Sequence, residues 1–449
     1  MKKYELELTE DNIRKTIENN ILGRNNNLVM LGKMLLNQNE NIMISLDGIW
    51  GSGKTFFIKQ FEYLIKNIDE FPDNKVFVEN DKEIFRKLKD NNLVIYYNAW
   101  QNDDHEEPLE SIMYAILNEF PNQKNQLISF KEYKKIVKGF IWDVIRVASL
   151  ETIDMKHFDE MKSYEDITSS IITIEEKKDS FNKLINEILT DNQRLILIVD
   201  ELDRCKPTFA VKMLETLKHF YDNDKITIIV VTNNSELSHT IKKFYGYEFD
   251  GCGYLNKFYD AVISLEIKDI KQYLQKQLNF CNRTYLPYDM SYLILRYYNF
   301  LLRECNKFIT IYNLLSSYIE TESDFNRNEN YVFSCILLPL AIALKIKHID
   351  LYHQFMNNKG ENIIREFIKG SETQKEMIDW IKELLGNPEQ DYIDIIIDYY
   401  KQIFDKTNSI YRINFHDAIS LLGTKLQIED NKNRYSLEVI IAYYLKIIF

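Results

Sequence analysis

The chain has 449 residues, 45% of them apolar, and carries 56 Lys and Arg against 68 Asp and Glu, a formal net charge of −12. That apolar content supplies a sizeable core and excludes wholesale disorder, and the length suits two or three domains. The acidic balance gives no general attraction to nucleic acid or anionic lipid, which disfavours a nucleic-acid-dependent motor and makes any such contact local.

Residues 1–40 read as two polar helices, and no apolar stretch follows Lys2 and Lys3, so no signal peptide is expected. A short apolar run at 41–46 ends in Asp47-Gly48, and a helical pattern begins near Thr55: strand, glycine-rich turn, helix. A second strand at 93–97 ends in Asn98-Ala99-Trp100, and a third at 194–199 runs into Asp200 and Glu201. A fourth, at 226–231, ends in Thr232-Asn233-Asn234. Continuous apolar strands separated by helices indicate a doubly wound parallel α/β sheet, covered on both faces.

From about 268 the apolar spacing turns to a period of 3.6, as between Tyr392 and Phe404, which predicts a second, all-helical domain. The expected organisation is a domain over 1–267, with a helical insertion at about 121–185, and a helical domain over 268–449. The uncharged stretch 331–344 stops at Lys345 and contains Pro339. A membrane span needs about 20 apolar residues, so this is read as a buried helix. Five cysteines, an odd number without CxxC spacing, predict reduced thiols in a cytoplasmic protein rather than disulfides or a zinc site.

Gly48-Ile49-Trp50-Gly51-Ser52-Gly53-Lys54-Thr55 fits GxxxxGK(S/T) throughout and contains three of only thirteen glycines. Glycines let successive backbone N–H groups turn toward phosphate oxygens, and the following helix aims its dipole at the anion. Gly48, Trp50, Gly51, Ser52 and Gly53 are therefore candidate nucleotide contacts. Lys54 is the candidate for the β- and γ-phosphates, and the Thr55 hydroxyl for Mg²⁺.

Asp200 ends the third strand, where open α/β folds bind their ligands, and is the second candidate for the Mg²⁺ shell. Glu201 is placed to orient or deprotonate an attacking water, which favours hydrolysis over phosphoryl transfer to another acceptor. Acids after a strand also serve as helix caps. Lys54 and Asp200 lie too far apart for adjacent βαβ strands, and the strand at 93–97 fits between them. A strand inserted between the phosphate-loop and acidic strands defines the additional-strand class of P-loop NTPases, which includes AAA+ proteins. Asn233 then stands where a polar residue meets the γ-phosphate or the water; it equally suits a cap on a helix beginning at Ser235.

Four blocks resemble the KAP family of P-loop NTPases. They are the phosphate loop with its Trp50-Gly51, Tyr97-Asn98-Ala99-Trp100-Gln101, Asp200-Glu201-Leu202-Asp203-Arg204-Cys205-Lys206-Pro207, and Tyr254-Leu255-Asn256-Lys257-Phe258. A weaker match follows at 302–308. By that resemblance Arg303 resembles a second sensor reaching the nucleotide from the helical domain. Lys257 takes an arginine-finger-like place, in cis or across a subunit interface. For both, a surface cation or structural ion pair is the plainer reading. Glu201 stands where the family often has a second Asp. Many members carry transmembrane helices between the second strand and the acidic strand, and none is evident here.

That insertion does contain apolar residues at 136, 137, 140, 141, 144, 145 and 148, one helical stripe with lysines at its N-terminal edge. The segment 134–150 suits peripheral contact with a membrane, a partner helix, or packing on the protein's own core; Asp143 weakens the first. Trp100 is read as anchoring its loop, or else as touching nucleotide.

Taken together, the residues and the resemblance imply Mg²⁺-dependent ATP binding and hydrolysis that drives a conformational switch. The readout would be an unidentified protein partner or homo-oligomerisation, in a bacterial setting such as anti-phage defence. An ATP-gated scaffold with negligible turnover is the alternative. ATP is expected over GTP because no guanine-reading Asn-Lys-x-Asp is present: Asn256-Lys257-Phe258-Tyr259 lacks the acid.

Overall fold

The computed structural model describes residues 7–37, 40–72, 76–105, 107–119, 181–186, 188–190, 192–220, 223–265, 270, 271, 273, 274, 286–319, 332–370, 378, 379, 382 and 391–410. The apolar stripe at 136–148, and the insertion as far as residue 180, lie outside these residues. The chain divides into two compact units, one of residues 8–266 and the other of residues 1–7 with 267–449.

The first unit opens with α1 (Glu10–Glu18) and α2 (Asn25–Leu36). Thr9 caps α1 by accepting the Asn12 N–H. α2 is less polar than its sequence suggested, because Leu28, Leu31 and Leu35 form a buried stripe along it. Then follow β1 (Ile42–Asp47), α3 (Lys54–Asn67), α4 (Glu79–Asn91), β2 (Asn92–Asn98), α5 (Pro108–Glu119), β3 (Arg194–Asp200) and α6 (Pro207–Phe220). The unit closes with β4 (Ile226–Thr232), α7 (Asn234–Tyr245), the short α8 (Gly251–Leu255) and β5 (Ala261–Ser264).

All five strands are parallel, in the order β2-β3-β4-β1-β5. A strand does separate the phosphate-loop strand β1 from the acidic strand β3, but it is β4, not the strand at 93–97. β2 pairs with the outer side of β3 instead, Asn98 opposite Asp200. β5 was not anticipated: it is four residues long, pairs among the described residues with β1 alone, and leaves Val262 50% exposed. So short and half-wet a strand lacks the continuous apolar run that marks the others.

Strand alternation sorts side chains onto two faces. Leu93, Ile95 and Tyr97 of β2, Leu195, Leu197 and Val199 of β3, and Ile226, Ile228 and Val230 of β4 share one core with α5, α6 and α7. The intervening residues, Tyr96, Asn98 and Asp200 among them, face the other way. On that side α3 packs against β4 and α4 against β2. α3 presents Phe57, Phe61, Leu64 and Ile65 at helical spacing, all buried. Each such side chain removed from water contributes about 1.5–3 kcal/mol, enough to fix the helix that carries Lys54 and Thr55.

The second unit contains α9 (Leu286–Tyr297), α10 (Leu302–Ile319), α11 (Leu338–Lys347), α12 (Ile349–Met356), α13 (Glu361–Gly370) and α14 (Tyr392–Ile410). A π-helical turn, Phe333–Leu337, leads into α11, and the Leu338 N–H reaches back to Phe333 O. Pro339, with no N–H to offer, follows at once. As read from the sequence, the segment is buried: Leu338 through Leu344 are all in the core. No helix among the described residues is long and apolar enough to cross a membrane. The Tyr400 hydroxyl donates to Phe355 O at 2.6 Å and accepts the Gly360 N–H at 2.8 Å, joining α14 to the α12–α13 turn.

Candidate functional site

The phosphate loop leaves β1 at Gly48 and enters α3 at Lys54. Gly51 and Gly53 take φ of 88° and 85°, where a side chain is strained. A Cβ on Gly48 would meet Ser52 Oγ at 2.8 Å. Ser52 is buried, and its hydroxyl has no partner among the described residues. Lys54 is 9% exposed; its ammonium donates to the loop's own carbonyls, Gly48 O at 2.5 Å and Ile49 O at 3.4 Å. Burial lowers the Lys54 pKa, and the charges of Asp203, Asp200 and Asp47 only partly oppose this. A buried cation satisfied by carbonyls, beside an orphaned hydroxyl and a glycine cradle, fits an anionic ligand.

Asp200 is 1% exposed at the end of β3. It accepts hydrogen bonds from the Tyr96 hydroxyl at 2.9 Å and from the Glu201 N–H at 2.7 Å, and the nearby Thr55 hydroxyl also favours its charged form. Burial nevertheless outweighs these donors and pushes its pKa up to about 6. Thr55 and Asp200, predicted together as metal ligands, are thus brought to the same place. Among the described residues no cluster of three His, Cys, Asp or Glu side chains forms a metal cage. One hydroxyl and one carboxylate fit Mg²⁺, which retains waters and takes phosphate oxygens to complete its shell.

Glu201 has φ 62° and ψ 27°, left-handed values uncommon outside glycine. Its N–H donates to Val231 O at 3.2 Å as well as to Asp200. The carboxylate is held from two sides: Arg204 Nη1 lies 2.9 Å from Oε1, and Asn98 Nδ2 donates to Oε2 at 3.3 Å. The Arg204 guanidinium also lies 5.3 Å from the centre of the Trp100 ring. Trp100 itself is exposed, so burial of its ring is not what anchors the loop after β2.

The other predicted residues fall less centrally. Trp50 is 45% exposed, and its indole N–H donates to Asp203 Oδ2 at 2.5 Å. Asn233 is buried where β4 passes into α7, and its side-chain oxygen caps α7 by accepting the Glu236 N–H at 3.5 Å. Lys257 is exposed after α8, and no hydrogen bond or ion pair joins it to this cluster among the described residues. Arg303 belongs to the second unit and is exposed in the first turn of α10.

Tyr96 and Asp203 were given no role by the sequence reading. Tyr96 stands two residues before Asn98 on β2, so the strand period alone places both on the Asp200 face. The Lys59 ammonium lies 3.2 Å from the centre of its ring. Asp203 is buried and accepts from Thr232 Oγ1 at 3.4 Å as well as from Trp50. Its position within the acidic block was the available signal.

Two neighbouring carbonyls of β4 support both halves of the site: Thr232 O accepts the Gly48 N–H at 3.3 Å, and Val231 O accepts the Glu201 N–H at 3.2 Å.

Comparison with curated proteins gives no match. Among solved structures the chain is similar to PCH-2 of C. elegans, at 11% identity and a TM-score of 0.26, over 74% of this chain and 69% of that one. The model of the KAP family P-loop domain matches residues 24–292, which take in the phosphate loop, the acidic turn of Asp200 and Glu201, and all five strands. The chain therefore belongs to the KAP family of P-loop NTPases, a membership that implies nucleotide binding.

Proposed function

We propose that this protein binds ATP with Mg²⁺ and hydrolyses it, using the cycle as a conformational switch. The observation that carries the reading is the buried Lys54 ammonium, satisfied by loop carbonyls beside the Thr55–Asp200 pair. In this reading Lys54 binds the β- and γ-phosphates, and Thr55 and Asp200 hold the metal. When bound, Mg²⁺ neutralises charge on the phosphates. Glu201 accepts a proton from the water whose oxygen attacks the γ-phosphorus, as the bond to the β–γ bridging oxygen breaks and ADP leaves.

The sheet order supports assignment to the additional-strand class, the AAA+/STAND-like group. The working parts are taken as an NTPase domain over 1–267 and a helical domain over 268–449. Asn233, Lys257 and Arg303 are kept as secondary catalytic candidates, with exposed Lys257 available to a neighbouring subunit in a homo-oligomer. The nucleotide state is read by a protein partner, in the cytoplasm, with anti-phage defence as the setting that the family suggests.

A second reading, an ATP-gated scaffold with negligible turnover, is favoured by one observation: the Glu201 carboxylate is already engaged by Arg204 and Asn98. Steady-state MgATP hydrolysis by wild type and Glu201→Gln, with nucleotide affinity measured for both, separates the two. Turnover in wild type alone, with binding in both, supports the hydrolase. Binding in both without turnover supports the scaffold, and no binding sinks both readings.

A further inference from the structure

Arg24 stands immediately before α2, at the end of the tight connection from α1. That connection is firmly pinned. Asn20 and Gly23 adopt φ of 45° and 64°, and the Asn25 side-chain amide donates to Ile17 O at 2.9 Å. Gln60 of α3 donates to Thr16 Oγ1 of α1, also at 2.9 Å. The guanidinium is thereby delivered to the phosphate loop, where Nη2 donates to Ser52 O at 2.7 Å and Nη1 to Gly53 O at 3.4 Å. Arg24 is 4% exposed, and among the described residues no carboxylate pairs with it. Burial alone pulls its pKa down to about 10.

Burying a cation without a counter-charge is costly, so so specific a placement calls for a compensating role. The two carbonyls belong to the Ser52–Gly53 and Gly53–Lys54 peptide groups. The N–H groups of those peptides are the ones of Gly53 and Lys54, which a P-loop offers to phosphate. A charged hydrogen bond at the oxygen of a peptide group polarises it and makes its N–H a stronger donor.

We propose that Arg24 is a positioning residue for nucleotide phosphates, acting from behind the loop through the Ser52–Gly53 and Gly53–Lys54 peptide groups. The proposal rests on the nucleotide-binding reading. It makes the ligand's negative charge the missing partner of a buried positive one, so Arg24 strengthens binding more than it stabilises the ligand-free fold.

The test is calorimetric affinity for MgADP and MgATP, with the ligand-free melting temperature, for the full chain and for Arg24→Met, Arg24→Gln and Arg24→Lys. The expected result is affinity about tenfold weaker in Arg24→Met, with smaller losses in Gln, which keeps a donor, and Lys, which keeps the charge. Ligand-free melting should be unchanged or raised in Arg24→Met. Wild-type affinity in Arg24→Met overturns the proposal, as does a loss that merely follows a falling ligand-free melting temperature across the three variants. If Arg24→Met fails to fold, Gln and Lys are judged by the same two criteria. Absence of binding in wild type defeats the nucleotide reading and this proposal with it, whereas wild-type binding with undiminished variants defeats this proposal alone.

Discussion

The Trp50 indole donates its N–H to the buried Asp203 carboxylate at 2.5 Å, tying the third residue of the phosphate loop to the turn that follows the acidic strand. Trp50→Phe keeps a ring but removes the donor, leaving Asp203 with Thr232 as its hydroxyl partner. Losing a hydrogen bond to a buried charged group costs about 1–3 kcal/mol. Urea denaturation of Trp50→Phe should show a loss in that range; an unchanged midpoint and slope would deny the bond any energetic weight.

Asp200 predicts a pH signature in the metal-free protein. Its folded pKa, about 6, is raised above the unfolded value, so its contribution to stability is fully present below about pH 4 and is lost as pH rises through about 6. Asp200→Asn lacks this titration. The stability of Asp200→Asn relative to wild type should therefore rise by about 2–3 kcal/mol between pH 4 and pH 6.5. Metal-free denaturation curves across that window provide the check, and a constant difference would contradict it.

Glu201 supplies a test of backbone strain. At φ 62° glycine is unstrained whereas alanine is not, so Glu201→Gly should be more stable than Glu201→Ala by about 1 kcal/mol. Both lose the Arg204 and Asn98 contacts equally, so the comparison isolates the backbone. Equal stability by chemical denaturation would place the strain elsewhere. Neither variant should hydrolyse MgATP.

Gly360 is constrained by its neighbours rather than by its backbone. A Cβ there would meet the Tyr400 hydroxyl at 2.6 Å and Phe355 Cδ2 at 2.7 Å. Gly360→Ala should cost about 1–3 kcal/mol by overpacking, read as a lowered melting temperature. An unchanged melting temperature would mean that the α12–α13 turn yields freely.

Much of the P-loop unit was legible because its signals are local. Four strands are continuous apolar runs, and the phosphate loop declares itself through glycine spacing. Asp200 and Thr55 were predicted together from different parts of the chain, and the fold brings them near one another. What escaped depends on tertiary arrangement. The neighbour of β1 is chosen by crossovers that strand composition does not record, so β4 rather than β2 fills the gap. Arg24 binds backbone carbonyls, which every residue possesses, and such a partnership leaves no mark on the sequence of the loop it serves. Tyr96 could have been found by counting back two along β2 from Asn98.

The adjacent carbonyls of Val231 and Thr232 carry a mechanical consequence. Because one holds the acidic turn and the other the root of the phosphate loop, the tip of β4 acts as a common axle for both. Prising them apart requires one of these bonds to break first. Because both halves hang from one strand tip, a change that shifts Val231 or Thr232 bears on the phosphate loop and the acidic turn at once.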